Sequence, residues 1–126
     1  MKEKIEKSNT EEILELNMVQ SGMLFHYLKE AGENRYNVQL AFDINGTLDI
    51  PLMQDAFQRV QSQNEVLRSV FRWEGISKPV QIILKDYPFN FVYHDLCQQS
   101  PEYVSDFVQY FLLKDQNDRF DLRRLP

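Results

Sequence analysis

The sequence has 126 residues, of which 43% are hydrophobic and 13% aromatic, with a formal net charge of -5 and a pI near 5.0. This composition predicts one globular domain or part of one, and its acidity argues against a basic surface for nucleic acid or anionic membranes. The single cysteine, Cys97, excludes an intrachain disulfide and a cysteine-based metal site. Because no signal peptide or membrane-spanning apolar run occurs, we expect a soluble, cytoplasmic protein.

The first part of the sequence predicts a charged leader followed by a helix. The leader spans residues 1–13, although the residues from Thr10 onward allow either a short helical turn or an extended entry. A helix is expected between a capping Asn17 and Gly32, since apolar residues recur there on one face. Gly22 lies inside this helix at a cost of about 1 kcal/mol against alanine, so a neighbour is expected to need its small volume. The apolar face comprises Met23, Leu24, Tyr27 and Leu28.

Residues 37–44 alternate apolar and polar side chains, which predicts a half-buried β-strand. Asn45-Gly46 then indicates a turn. Asp49 is a candidate cap, and Pro51 suits the first turn, of a helix that runs to about Gln63. The buried face of the strand is predicted to comprise Val38, Leu40, Phe42 and Ile44.

The second half of the sequence predicts a hairpin, a further strand and a long helix. The hairpin strands are expected at 67–73 and 79–84, and the further strand, with Phe89, Phe91 and Tyr93 alternating, ends near Asp95. Ser100 and Pro101 predict a helix start, and the helix carries a full apolar stripe that an incomplete sheet would leave partly uncovered. We therefore expect a mixed α/β fold whose exposed edge and faces favour self-association. The stripe comprises Val104, Phe107, Val108, Phe111 and Leu112.

Few residues suggest chemistry. Glu65 and Arg68 lie among apolar side chains where helix changes to strand, and a local ion pair is the simplest interpretation. His94-Asp95 resembles a catalytic pair, but a polar pair at a strand end is favoured because strand neighbours point to opposite faces. His26 lies on the predicted helix beside Phe25 and Tyr27. No metal-ligand cluster, phosphate-binding glycine pattern or nucleophile elbow occurs. A basic cluster at Arg119, Arg123 and Arg124 is typical of a solvated tail.

Three stretches resemble motifs of nonribosomal peptide synthetase condensation domains. Motif 1 is residues 20–28, Gln-Ser-Gly-Met-Leu-Phe-His-Tyr-Leu, and motif 2 is residues 64–71, Asn-Glu-Val-Leu-Arg-Ser-Val-Phe. Motif 3 is Phe120-Asp121-Leu122. The resemblance covers about Leu14 to Pro126, and the three motifs occur in the family's order. The residues that match the family are Gln20, Gly22, Met23, Glu65, Leu67, Arg68, Phe71, Phe120 and Asp121.

The resemblance implies a fold, an activity and partners. Residues 14–126 would form an incomplete N-terminal lobe of a chloramphenicol-acetyltransferase-like fold. The family joins a carrier-protein-bound acyl or peptidyl donor to an aminoacyl acceptor through an amide bond. No cofactor is expected to bind directly, since phosphopantetheine belongs to the partner carrier proteins. The other expected partner is the remainder of the condensation domain.

The resemblance does not assign a catalytic residue. The His-His-x-x-x-Asp-Gly motif credited with the reaction does not occur in this sequence, and neither histidine matches its context. Gln63-Asn64 replaces the usual Arg-His of motif 2, which leaves Arg68 as the motif arginine for a structural salt bridge. The chain alone is therefore expected to be inactive. The alternative interpretation is a non-catalytic module that binds carrier proteins or other chains.

Overall fold

The computed structural model describes residues 5–29 and 36–124, and these residues form a small sheet with helices around it. This arrangement confirms the mixed α/β class. Short 3-10 turns lie at Lys7–Asn9 and Glu65–Arg68. The longer elements are β1 (Thr10–Glu15), α1 (Met18–Lys29), α2 (Ile50–Gln63), β2 (Ser69–Arg72), β3 (Val80–Leu84) and α3 (Pro101–Asn117).

The central strand of the sheet is β3, which pairs antiparallel with β1 on one side and β2 on the other. Paired residues share a face of an antiparallel sheet, so Val70 and Ile82 lie on one face, while Phe71 and Gln81 lie on the other. The best-buried apolar side chains belong to these strands and to α1, with exposed fractions of 2–5%: Leu24, Val70, Ile83 and Leu84. The core of the described residues is therefore centred on β3.

The helices begin at the capping residues that the sequence predicts. The Asp49 carboxylate accepts from the Leu52 backbone N–H at 3.0 Å, and the Ser100 hydroxyl accepts from Tyr103 at 3.2 Å. At α1, Asn17 and Gln20 cap each other: each backbone N–H donates to the other's side-chain oxygen, at 3.0 and 2.8 Å. These caps satisfy backbone donors that a helix leaves unpaired. The expected stop at Gly32 lies outside the described residues.

The extended alternative is correct for the residues after Thr10. They form β1, which pairs with β3 from Thr10 to Glu15. The sheet therefore begins inside the range assigned to the charged leader, while the division of the chain at residue 13 remains a prediction.

The strand predicted at 37–44 is wrong, because these residues have no strand assignment. Gln39 of the predicted polar side faces the protein: its amide donates to the Leu112 carbonyl at 3.1 Å and to the Asp115 carboxylate at 2.7 Å. The four apolar residues that were expected inside are 62–79% exposed. Alternation is a pattern of extended backbone, but a strand also needs a ladder partner. Within the described part of the chain, hydrogen bonds to α3 hold this segment instead.

The strand predicted from Phe89 to about Asp95 is also wrong, because these residues have no strand assignment. The Phe89 backbone N–H donates to the Gln58 side chain at 2.6 Å, and the Phe91 N–H donates to the Phe89 carbonyl at 3.1 Å. These backbone donors are therefore used by a side chain and a local turn rather than by a ladder. The Phe89 ring stacks on Phe57 of α2, with centroids 5.3 Å apart. Phe89 and Phe91 therefore pack on α2, whereas Tyr93, the third member of the alternation, is 54% exposed.

Arg68 forms a buried clamp between β1 and β3, so the expected local pair with Glu65 is wrong. Its side chain is 8% exposed and its Nη1 lies 2.7 Å from the Glu11 carboxylate of β1. The same nitrogen donates to the backbone carbonyl of Leu84 at the end of β3. Three acceptors, including the Lys85 carbonyl at 3.4 Å, lie around Nη1 and offset part of the cost of burying the charge. The buried Nε has no hydrogen-bond partner among the described residues.

Replacing Arg68 by alanine should destabilise the protein by about 2–3 kcal/mol, because the Leu84 carbonyl would lose its charged donor. The matched control is Lys78→Ala, which breaks a second ion pair to β1, at Glu15. Both partners of that pair are about two-thirds exposed, so its loss should change stability little. Urea denaturation measures both variants. Equal effects of the two substitutions would contradict the clamp.

Candidate functional site

The three motifs converge around one cavity of about 250 Å³. Motif 1 supplies the inner face of α1, motif 2 supplies Phe71 on β2, and motif 3 closes the opposite side after α3. The walls are mostly apolar, with a few polar groups, as is typical of small-molecule pockets in proteins. The lining residues are Gln20, Met23, Leu24, His26, Tyr27, Tyr36, Asn37, Phe71, Arg119, Phe120 and Leu122.

Motif 3 is attached to both other motifs by hydrogen bonds to its backbone. The Phe71 N–H of motif 2 donates to the Leu122 carbonyl at 2.8 Å, so the segment lies along the outer edge of β2. The Tyr27 hydroxyl of motif 1 donates to the Phe120 carbonyl at 3.1 Å. Residues separated by about 90 positions in the sequence thus meet at the cavity. The motifs are neighbours in space, which sequence order alone does not establish.

Arg119 is a cavity residue that the sequence interpretation misplaced in a solvated cluster. Its guanidinium carbon lies 3.8 Å from the centroid of the Tyr27 ring, and its Nη2 donates to the Tyr27 backbone carbonyl. A guanidinium can stack on an aromatic face while its N–H groups stay hydrogen-bonded. Trp73 packs edge-on against the same Tyr27 ring at 6.0 Å. The sequence feature that could have indicated this role is the position of Arg119 directly before motif 3.

The structure divides the nine family-matching residues into two groups. Gln20, Met23, Phe71 and Phe120 line the cavity. The other five are not lining residues of the cavity, and two of them make contacts that hold the elements around it. Glu65 contributes its backbone carbonyl, which accepts from the Ser69 hydroxyl at 2.8 Å, while Arg68 forms the clamp. The remaining three are Gly22, Leu67 and Asp121.

Asp121 of motif 3 forms an ion pair with Arg123, which directly follows the motif. The Arg123 Nε and Nη2 donate to the two carboxylate oxygens at 2.8 and 3.1 Å. These hydrogen bonds hold the pKa of the Asp121 carboxyl below its ordinary value of 3.8. The pair therefore favours the ionised form of Asp121 in the folded protein.

The structure does not support the catalytic interpretation of His94-Asp95. The His94 ring packs edge-on against Phe107 and Phe111 of α3, with centroids 5.2 and 5.6 Å away. The Asp95 carboxylate instead accepts from the Cys97 backbone N–H at 2.9 Å, which lowers the pKa of Asp95. Among the residues that the structure describes, no group of three or more metal-ligating side chains converges. None of their helices is long and apolar enough to cross a membrane.

Comparison with known proteins identifies the family. A family model described as a condensation domain matches residues 10–126. The chain belongs to the condensation-domain family. This membership confirms the resemblance drawn from the three motifs, and the match begins at the first residue of β1.

Curated relatives of this condensation-domain chain are much longer proteins. Bacitracin synthase 3 of Bacillus licheniformis is 33% identical over 116 residues, which cover 92% of this chain and 2% of that protein. Tyrocidine synthase 2 of Brevibacillus parabrevis is 30% identical over 122 residues, which cover 95% of this chain and 3% of that protein. Gramicidin S synthase 2 of Brevibacillus brevis is 28% identical over 120 residues, which cover 95% of this chain and 3% of that protein. The chain thus spans only 2–3% of the length of these three relatives.

Replacing Gly22 by alanine should stabilise α1 by about 0.5–1 kcal/mol, the propensity difference between the two residues. A Cβ at this position would meet nothing within 4 Å among the described atoms, which contradicts the expectation that a neighbour needs the small volume. The control is Gly46→Ala, where φ is +125° and alanine would be strained. Thermal melting should show opposite signs for the two variants. A loss of stability in the Gly22 variant would contradict the open space.

Replacing Asp121 by asparagine should lower stability at neutral pH and leave it unchanged in strong acid. The folded pKa lies below the unfolded one, so the carboxylate's contribution is present above the unfolded pKa and disappears as pH falls through the folded pKa. Denaturation of both proteins between neutral and acidic pH measures this convergence. In an Arg123→Gln background the difference in stability between the aspartate and asparagine proteins should shrink, because the main cause of the lowered Asp121 pKa is gone. A constant difference across pH would contradict this assignment.

Proposed function

We propose that this chain is the leading part of the N-terminal lobe of an amide-forming condensation domain. The single observation that carries the proposal is the convergence of three family motifs on one cavity. Membership in the condensation-domain family across residues 10–126 supports it. The names of the relatives describe synthases of bacitracin, tyrocidine and gramicidin S, which is consistent with peptide assembly.

In the proposed reaction an acceptor amine attacks a donor thioester. A carbon–nitrogen bond forms and the carbon–sulfur bond breaks. The proton lost by the nitrogen ends on the departing sulfur, which remains on the donor's arm as a thiol. Both substrates are presented by carrier-protein domains, and phosphopantetheine on those partners supplies the thioester linkage. We assign no base or oxyanion donor to this chain. Its proposed contribution is a rigid frame in which the Arg68 clamp holds the sheet and α1 holds one cavity wall.

The proposed partners follow from this role. They are peptidyl and aminoacyl carrier-protein domains together with the remainder of the condensation domain. We also propose a cytoplasmic location, which a single, exposed, free cysteine supports because unpaired thiols persist in reducing compartments.

A second candidate function is a non-catalytic module that pairs with another chain. It is favoured by the exposed apolar row at Val38, Leu40, Phe42 and Ile44 and by the exposed Val108 and Phe111 of α3. Exposed apolar surface of this kind is typical of association sites. Under this proposal the chain self-associates or binds a carrier protein without forming an amide.

A condensation assay distinguishes the two functions. The chain should be produced within a complete condensation domain and mixed with donor and acceptor carrier proteins that carry thioester-linked substrates, and the amide product measured by mass spectrometry. We expect product from the complete domain and none from the 126-residue chain. Phe71→Ala in the complete domain should lower the rate, because it removes a cavity wall shared by motifs 2 and 3.

The matched control for that variant is Phe71→Leu, which keeps an apolar side chain in the same wall of the cavity. Its effect on the rate should be small. Absence of product from a folded complete domain would contradict the amide-forming proposal. Binding of a phosphopantetheinylated carrier protein by the 126-residue chain alone would instead favour the module.

A further inference from the structure

Four hydrogen bonds form a continuous chain from α1 through the sheet to the turn before β2. The Asn17 backbone N–H donates to Gln20 Oε1 at 3.0 Å, and Gln20 Nε2 donates to Gln81 Oε1 at 2.8 Å. Gln81 Nε2 then donates to the Ser69 hydroxyl at 2.7 Å, which donates to the Glu65 carbonyl at 2.8 Å. We call these five residues the amide relay. It connects motif 1 to motif 2 through a strand that belongs to neither.

The direction of the amide relay is determined at both ends. A backbone N–H can only donate and a backbone carbonyl can only accept, so the ends at Asn17 and Glu65 exclude the reverse order. Gln20 must therefore donate toward the sheet, and Ser69 must accept from it. The residue between them has to accept on one side and donate on the other. A neutral glutamine amide does both, whereas glutamate lacks the donor and methionine lacks both groups.

Gln81 is placed where a small displacement would alter the cavity. It lies on central strand β3, opposite Phe71 of β2, which lines the cavity. Through Gln20 it contacts the first turn of α1, whose later turns supply Met23 and Tyr27 to the same cavity. A half-buried polar network with every member paired favours one arrangement of its elements, because any shift leaves groups unsatisfied.

We propose that Gln81 is a positioning residue that sets α1 against the β2–β3 hairpin and so determines the width of the cavity. It acts through Gln20 on one side and Ser69 on the other. This role concerns the shape of the cavity and does not depend on which reaction the domain performs.

Trp73 provides a direct readout of this positioning. It is the only tryptophan in the sequence, it directly follows β2, and it packs against Tyr27 of α1 with ring centroids 6.0 Å apart. A movement of α1 away from the hairpin would break this contact and expose the indole to water. Its fluorescence therefore reports the geometry that the amide relay is proposed to hold.

The test is Gln81→Met in the 126-residue chain, with Gln39→Met as the matched control. Methionine keeps the length and removes both hydrogen-bonding groups, so the Trp73 emission should shift to the red and the Tm should fall by about 3–6 °C. Gln39 makes two amide hydrogen bonds to α3, outside the relay. Its variant should lose stability with unchanged emission. Unchanged emission in the Gln81 variant, or an equal shift in the control, would overturn the proposal.

A double-mutant cycle tests the coupling between the two glutamines. If Gln81 acts through Gln20, the combined Gln20→Met and Gln81→Met change in the folding equilibrium constant should be smaller than the product of the single changes by about fivefold. The capping contribution of Gln20 cancels in this cycle. Independent, multiplicative effects would overturn the proposal.

Gln81→Glu keeps the test decisive if the methionine variant fails to fold. The introduced carboxylate still accepts from Gln20 but cannot donate to Ser69 when ionised. We expect a red shift in the same direction and of smaller size at neutral pH. An emission spectrum identical to that of the unaltered protein would show that the relay does not position α1.

Discussion

The buried guanidinium of Arg68 is the interaction on which the sheet depends. The side chain enters from the turn between α2 and β2, pairs with Glu11 of β1 and donates to the carbonyl at the end of β3. One residue thereby joins both outer strands to the central one. Burying a cation is costly, and acceptors from β1 and from the end of β3 offset part of that cost at Nη1.

The cavity is built on this frame by a second set of polar contacts. The clamp fixes the sheet, the relay through Gln81 attaches α1 to it, and the Tyr27 hydroxyl attaches motif 3 to α1. Apolar side chains fill the walls but do not specify where the helix sits, since hydrophobic contact is not directional. Hydrogen bonds supply the missing direction. Three motifs that are separated along the sequence therefore form one site.

Two segments show where a local pattern and a tertiary environment differ. Residues 37–44 and 89–93 both alternate like strands, and neither forms one among the described residues. Alternation depends only on the sequence, whereas a ladder depends on a second strand at hydrogen-bonding distance. In the first segment Gln39 bonds to α3, and in the second Phe89 stacks on α2. The converse case is β1, where pairing with β3 decided between the extended and the helical alternative.

The sequence by itself determined the helices, the β2–β3 hairpin, the mixed α/β class and the family, because caps, helical periodicity and motifs are properties of neighbouring residues. It also placed Gln20, Met23, Phe71 and Phe120 among the residues that matter. Only the tertiary structure decided the partner of Arg68, the position of Arg119 on Tyr27 and the contact of Gln81 with Gln20. Each of those contacts joins residues far apart in the sequence. No local pattern encodes such a pairing, since it exists only after the sheet has brought its members together.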